Sequence, residues 1–215
     1  MQKDLKHYRK SYEKNQLAQD NLPSDPLVLF TSWFKDAEDN PEIGEPNAMS
    51  LATVGSDMFP KSRVVLLKSF SPEGFTFYTN YNSEKGKDLA ENPKLCLNFF
   101  WPALERQIII RGTASKTSEK DSDEYFKVRP RGSRLGAWAS QQSQEIPSHQ
   151  YLIDEISKLE DKFENGDIPR PGHWGGYLVE PLHFEFWQGR RNRLHDRIQY
   201  EKAINGDWKI KRVAP

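Results

Sequence analysis

The chain has 215 residues, which one ordinary domain fills with room for a modest extension. Lys and Arg number 31 and Asp and Glu 31, so the formal net charge is +0, which argues against a protein that blankets nucleic acid or an anionic membrane. Hydrophobic residues make up only 36%, yet aromatics reach 12% and sit inside short apolar runs, enough to pack a core and exclude wholesale disorder.

No apolar run approaches the ~20 residues that cross a bilayer. The opening Met1-Gln2-Lys3-Asp4-Leu5-Lys6 lacks the apolar segment of a secretory signal. The single cysteine, Cys96, cannot close an internal disulfide, so a cytoplasmic protein is expected. Residues 1–25 are charged and end in Leu22-Pro23-Ser24-Asp25-Pro26; they read as a mobile or partly helical arm before a single domain over 26–215. Asp25 caps a helix opened by Pro26, with Leu27, Phe30, Trp33 and Phe34 on one face.

Short strands follow: Ala48 to Val54, Ser62 to Phe70, and Gly74 to Asn80, separated by Gly55-Ser56-Asp57 and Ser71-Pro72-Glu73-Gly74. Ser83 caps a short helix that stops before Pro93. Lys94 to Trp101 and Gln107 to Ala114 are two more strands, and Thr117 to Val128 reads as a helix ended by Arg129-Pro130. Ser148 to Phe163 carries Leu152, Ile156, Leu159 and Phe163 at helical spacing. Gly176 to Glu180, His183 to Trp187, and a hairpin through Asn205-Gly206 ending near Val213 complete the chain. Strands without regular βαβ alternation predict an α+β fold, a mainly antiparallel barrel or sheet with flanking helices. Neither a Gly-x-Gly-x-x-Gly turn nor a Gly-Lys-Ser/Thr phosphate loop is present.

The chemistry concentrates in three basic clusters. Arg63 and Lys68 bracket Val64-Val65-Leu66-Leu67; five positions apart on a straight strand they face opposite sides, so one would be buried and would demand an anion. Arg129, Arg131, Ser133 and Arg134 surround Pro130 and Gly132, and Gln188-Gly189-Arg190-Arg191-Asn192-Arg193-Leu194-His195-Asp196-Arg197 follows an aromatic strand. Arginine suits phosphate because its planar fork donates two parallel charge-assisted hydrogen bonds. A lone Arg-Pro-Arg is ordinarily a solvated loop and a lone histidine ordinarily structural. No His or Cys pair has metal-ligand spacing, so no metal is expected, and no Gly-x-Ser-x-Gly elbow occurs. The residues alone reach an α+β domain that binds small phosphorylated ligands, with its reaction open.

Several motifs narrow this: Arg63-Val64-Val65-Leu66-Leu67-Lys68, Tyr78-Thr79-Asn80, Glu105-Arg106-Gln107, Tyr125-Phe126-x-x-Arg129-Pro130-Arg131, Gly136-Ala137-Trp138, Trp174-Gly175-Gly176, Glu185-Phe186-Trp187-Gln188-Gly189 and Arg193-Leu194-His195-Asp196-Arg197. In this order, across nearly the whole chain, they resemble the pyridoxine/pyridoxamine 5′-phosphate oxidases. The resemblance implies an FMN-binding split β-barrel with flanking helices, acting as a homodimer with two FMN sites at the subunit interface. It implies oxidation of pyridoxine 5′-phosphate or pyridoxamine 5′-phosphate to pyridoxal 5′-phosphate, by hydride transfer from C4′ to flavin N5, with O2 reduced to H2O2.

By the same similarity, Arg63, Val64, Val65, Leu66, Leu67, Lys68, Tyr78, Thr79, Lys85, Gln107, Gln142, Ser143, Trp187 and Arg197 would hold FMN. Lys68, Tyr125, Arg129 and Ser133 would hold the substrate phosphate. Arg193 and His195 would act at the pyridine ring beside Leu194, and Arg9 and Tyr12 of the arm would close over it. Where the family usually has Arg-Lys, this chain has Glu84-Lys85, which leaves the flavin phosphate to Lys85 and Lys87. Two other readings remain: an FMN split-barrel reductase, and a carrier that binds FMN or pyridoxal phosphate without turnover. A nucleic-acid binder fits poorly with zero net charge.

Overall fold

The computed structural model describes residues 3–18, 22–164 and 166–215, among which are nine strands and five α-helices. The chain divides into two compact units: one comprises the residues up to Met49, Leu97–Arg111 and Pro181–Pro215, the other Ser50–Cys96 and Gly112–Glu180.

Helix α1 (Pro26–Glu38) begins as its sequence dictates, with Asp25 Oδ1 accepting the Leu27 N–H at 2.8 Å and Pro26 in the first turn, where its missing donor costs nothing. It buries Leu29, Phe30, Trp33, Phe34 and Ala37, and the Phe30 ring meets Phe99 at 5.4 Å. Strands β1 (Ala48–Val54), β2 (Pro60–Leu66), β3 (Ser69–Ser71) and β4 (Gly74–Asn80) follow. The expected single strand from Ser62 to Phe70 is therefore two, interrupted at Leu67 and Lys68, where the Lys68 N–H still donates to the Thr76 carbonyl of β4 at 2.8 Å. The two cations nonetheless part as expected: Lys68, beyond β2, is exposed, whereas the Arg63 side chain is only 18% exposed and meets the carboxylates of Glu84 and Asp88.

Helix α2 (Glu84–Glu91) is capped by Ser83, β5 spans Lys94–Trp101, and β6 spans Arg106–Lys116. Helix α3 (Glu119–Lys127) starts two residues later than its sequence pattern suggests, at the point where Ser118 Oγ accepts the Asp121 N–H at 3.0 Å. Helix α4 (Arg131–Ala139) replaces what reads as an arginine-rich loop, and α5 (His149–Lys162) matches its periodicity. Strand β7 (Trp174–Gln188) is one 15-residue strand where two were expected: Pro181 is accommodated inside it. Strands β8 (Asp196–Lys202) and β9 (Trp208–Arg212) close the chain as an antiparallel hairpin.

The sheet order is β2-β1-β5-β6-β7-β4-β3, with β8 pairing to β7 and β9 to β8. The β4–β7 register sets Tyr78 opposite Gly176 and Asn80 opposite Trp174; the β7–β8 register sets Trp187 opposite Arg197 and Gln188 opposite Asp196. Within the second unit a small core of Phe126, Leu135, Ile168 and Trp174 packs α3 and α4, and Leu159 and Phe163 lean on it. The described residues of the N-terminal arm contain no helix. Leu17 is buried, its N–H donating to Asp196 Oδ2 at 3.0 Å and its carbonyl accepting Arg212 Nη2 at 2.7 Å.

Candidate active site

The second unit holds a cavity of about 700 Å³. The end of β2 supplies Val64, Val65 and Leu66; Lys68 follows; β4 supplies Tyr78 and Thr79; α2 supplies Lys85; Tyr125, Arg129, Ser133 and Gln142 complete the polar wall. The Lys85 ammonium donates to Gln142 Oε1 at 3.0 Å and reaches Thr79 Oγ1 and Ser83 Oγ at 3.4 Å, so all its described bonds go to neutral groups. Burial and then the Arg63 charge hold its pKa below that of an ordinary lysine.

Arg63 does not line this cavity. Its guanidinium donates to Thr53 Oγ1 at 2.6 Å and to Glu84 Oε2 at 3.3 Å, and Lys61 stands 3.7 Å from Glu84 Oε1. Beneath them the buried Asp88 accepts Thr53 Oγ1 at 2.7 Å and Lys61 Nζ at 3.2 Å. Leu67 is buried, while Ser143 is exposed with φ of 69° and lies outside the cavity lining.

The second basic cluster resolves into one available cation. Arg131 Nη2 donates to the Phe163 carbonyl at 2.9 Å and Arg134 binds Asp167 at 2.6 Å, so both tie α4 to the segment after α5. Arg129 Nη1 is buried with no hydrogen-bond partner, and its guanidinium lies 4.4 Å over the Trp174 ring. Burial lowers its pKa from the usual arginine value. Trp174 stacks at 5.5 Å on Tyr78, which stacks at 3.9 Å on Tyr125. Ser133 sits in the first turn of α4, whose N-cap, Pro130, offers no side-chain acceptor. A half-buried cation with no carboxylate partner among the described residues and one unbonded buried nitrogen, beside an uncapped helix N-terminus, is a site prepared for an anion.

The third cluster lies in the first unit. Tyr12 of the arm meets Trp187 edge-on at 5.6 Å and His195 at 5.8 Å, and Trp187 and His195 are 4.6 Å apart. The Arg190 N–H donates to His195 Nδ1 at 3.1 Å, which fixes Nδ1 as an acceptor and leaves the proton of the neutral ring on Nε2. Burial, then the Arg193 charge, keeps His195 below the ordinary histidine pKa and so neutral near pH 7. Asn192 and Arg193 both take left-handed backbone conformations, with φ of 56° and 61°. Arg193 and Leu194 are exposed, as is Arg9. Arg197 clamps Glu185 through Nε at 2.9 Å and Nη2 at 3.1 Å, and Gln107 Nε2 donates to Asn98 Oδ1 at 2.7 Å.

Most of the expected site residues thus fall into two groups, while Arg63, Leu67 and Ser143 lie outside the cavity lining. Val64 to Leu66, Lys68, Tyr78, Thr79, Lys85, Tyr125, Arg129, Ser133 and Gln142 share the cavity. Tyr12, Trp187 and His195 form an aromatic cluster with Arg193 beside it. Sequence reasoning missed Asp88 and Thr53 beneath Arg63; the one available signal was Asp88 standing a helical turn after Glu84.

Comparison with known proteins agrees with this geometry. A family model described as pyridoxamine 5′-phosphate oxidase matches residues 36–163, and one described as the pyridoxine 5′-phosphate oxidase C-terminal dimerisation region matches 174–215. A Christiangramia forsetii protein named pyridoxine/pyridoxamine 5′-phosphate oxidase is 57% identical over 100% of both chains. A Flavobacterium johnsoniae protein of the same name is 59% identical over 98% of this chain and 99% of its own. Among solved structures, PhzG from Burkholderia lata, in complex with tetrahydrophenazine-1-carboxylic acid, is 33% identical, with a TM-score of 0.85 over 91% of this chain and 95% of that one. A Nostoc punctiforme FMN-binding protein related to pyridoxamine 5′-phosphate oxidase shares the fold at 14% identity, with a TM-score of 0.70 over 90% of this chain and 100% of that one.

Proposed function

Because the chain belongs to the pyridoxamine 5′-phosphate oxidase family, we propose that it is an FMN-dependent oxidase, built on the split-barrel fold, that makes pyridoxal 5′-phosphate. Pyridoxine 5′-phosphate and O2 give the aldehyde and H2O2; pyridoxamine 5′-phosphate, O2 and water give the aldehyde, ammonia and H2O2. The protein works as a homodimer, its C-terminal strands matching the family's dimerisation region. A cytoplasmic location belongs to the same proposal; a chain with one cysteine, unable to close an intrachain disulfide, suits a reducing compartment.

The observation that carries the reading is that three cations, Lys68, Lys85 and Arg129, line one cavity with no carboxylate bonded to any of them among the described residues. The reaction has two phosphates to hold, one on the cofactor and one on the substrate. Lys85, Thr79 and Gln142, with the backbone of Val64 to Lys68, are assigned to the flavin phosphate and ring system; Arg63, outside the cavity lining and bonded to Glu84, is assigned to the same phosphate. Arg129, Ser133, Tyr125 and Lys68 fit the phosphate of the substrate. When bound, FMN supplies the two-electron acceptor for the hydride leaving C4′ and returns the electrons to O2. Tyr78, Gln107, Ser143, Trp187 and Arg197 are assigned to the remainder of the flavin.

Arg193 and His195 are assigned to the pyridine ring, His195 donating through Nε2 and Arg193 offering positive charge, as ring-positioning groups rather than a lone essential base. The neutral His195 ring, held by the Arg190 N–H, supports that assignment. Residues 1–25 act as a lid over a single domain formed by 26–215, with Arg9 and Tyr12 facing the substrate and Leu194 beside it.

The decisive test is the visible spectrum of the purified, FMN-loaded protein under anaerobic titration with pyridoxine 5′-phosphate. Flavin bands that bleach on addition and return with O2 establish cofactor and half-reaction together. Bands that persist overturn the oxidase reading.

A further inference from the structure

Glu105 is a buried carboxylate outside the residues assigned above. It sits at the end of the tight turn Pro102–Leu104, in a left-handed conformation with φ of 55°. Its side chain is 3% exposed, yet no cation is held tightly against it: Lys10 Nζ stands 3.9 Å away. Its oxygens are satisfied by backbone instead, with Oε2 accepting the Glu13 N–H at 2.7 Å and the Lys14 N–H at 3.0 Å. Among the described residues, every partner of this carboxylate belongs to the N-terminal arm. A charge buried with partners on one segment only is costly whenever that segment leaves.

The surroundings make Glu105 rigid. Its own carbonyl accepts the Gly189 N–H at 2.8 Å and Gln188 Nε2 at 3.2 Å, which welds the turn to the end of β7. Gly189 is the second, independent observation. A Cβ built there would lie 2.8 Å from Tyr12 Cβ and Cγ and 3.1 Å from Glu105 Cβ, so the arm approaches closely because this residue has no side chain. The acceptor that takes the arm's backbone and the gap that takes Tyr12 are adjacent.

We propose that Glu105 is a positioning residue: it docks the arm by accepting the Glu13 and Lys14 N–H groups, and so holds Tyr12 against Trp187 and His195. This rests on the oxidase reading only for its effect on turnover. The docking itself is independent of it.

The test uses the full-length, FMN-loaded protein and two variants that attack the dock from opposite sides. Glu105→Gln keeps the shape and removes the charge; Gly189→Ala keeps the charge and fills the gap. The first readout is the rate of tryptic cleavage at Lys10 and Lys14, which lie on the arm. The others are KM and kcat for pyridoxine 5′-phosphate and the dissociation constant of FMN.

Cleavage about tenfold faster is expected in both variants, as follows from losing charge-assisted hydrogen bonds. KM should rise by a similar factor, with kcat and FMN affinity changed less than about twofold. The double variant should be no worse than the more severe single one, since both release the same segment. Unchanged cleavage overturns the proposal, as does faster cleavage with KM unaltered. A general loss of folding would weaken FMN binding in parallel, and that outcome also counts against it. Failure of the wild-type protein to turn over would sink the oxidase reading alone, and cleavage would still judge the dock.

Discussion

Arg129 and Arg134 stand close together in sequence and carry the same group, but one is spent and the other is not. Each keeps one buried nitrogen without a hydrogen-bond partner among the described residues, but Arg134 is neutralised by Asp167 at 2.6 Å, whereas no described carboxylate pairs with Arg129. Arg129→Ala should therefore lower kcat/KM for pyridoxine 5′-phosphate at least tenfold, since a charge-assisted hydrogen bond contributes about 1.5–3 kcal/mol. Steady-state kinetics beside Arg131→Ala, whose arginine faces the Phe163 carbonyl, checks this; equal effects would withdraw the role. Glu84 works in the other direction. Its carboxylate, more than half exposed, occupies Arg63 and Lys61, where it competes with an incoming phosphate. Removing the competitor in Glu84→Gln should tighten FMN about 1.4-fold to fivefold, the range of an exposed ion pair worth ~0.2–1 kcal/mol. Quenching of flavin fluorescence on titration measures it, and weaker binding would refute the competition.

At the scale of elements, the capped ones were legible: Asp25-Pro26, Ser83 and Ser148 each begin the helix that their residue types announce. Helix α4 was not. Pro130, Gly132 and Gly136 are poor helix formers, and burial of Leu135 and Ala139 together with the Arg131 and Arg134 ties to the segment after α5 offsets them. The break after Leu66 and the continuity of β7 through Pro181 were equally hidden, because both depend on which neighbour takes the backbone hydrogen bonds. The motifs named candidate residues, but not which arginine lacks a carboxylate partner, since Asp167, Glu185 and Glu84 are distant in sequence. Gly176 is the sharpest element-level test. A Cβ there would sit 2.6 Å from Thr117 Oγ1 and 2.8 Å from Tyr78 Cε1. Gly176→Ala should cost about 1–3 kcal/mol of stability and, by displacing Tyr78 from its stack with Tyr125, raise KM as well. Thermal unfolding and kinetics should move together; an unchanged Tm would refute the steric argument.

For the molecule as a whole, pH enters through His183. The ring is buried on β7, neither nitrogen meets hydrogen-bond geometry with a described residue, and burial followed by the Arg111 charge lowers its pKa from the ordinary 6.5, with Glu185, Glu201 and the nearby Gln199 side chain opposing. A folded-state pKa below the unfolded one means that the unfolded chain binds more protons on acidification. Stability is then complete above the unfolded value and falls as pH drops through about 6.5 and below. The Tm should decline between about pH 7.5 and 5.5, and less steeply in His183→Gln; parallel profiles would assign the decline elsewhere.

Arg193 raises a question of selection rather than of mechanism. It and Asn192 hold consecutive left-handed conformations, each costing on the order of 1–3 kcal/mol for a residue with a side chain. Glycine at either position would relax the loop and strengthen the fold. A library of this protein sorted for heat tolerance alone should therefore drift toward Arg193→Gly, and its best survivors should be sturdier proteins and poorer oxidases. Any breeding of a hardier version must score turnover in every round, or it will discard the residue whose awkward backbone the fold maintains at its own expense.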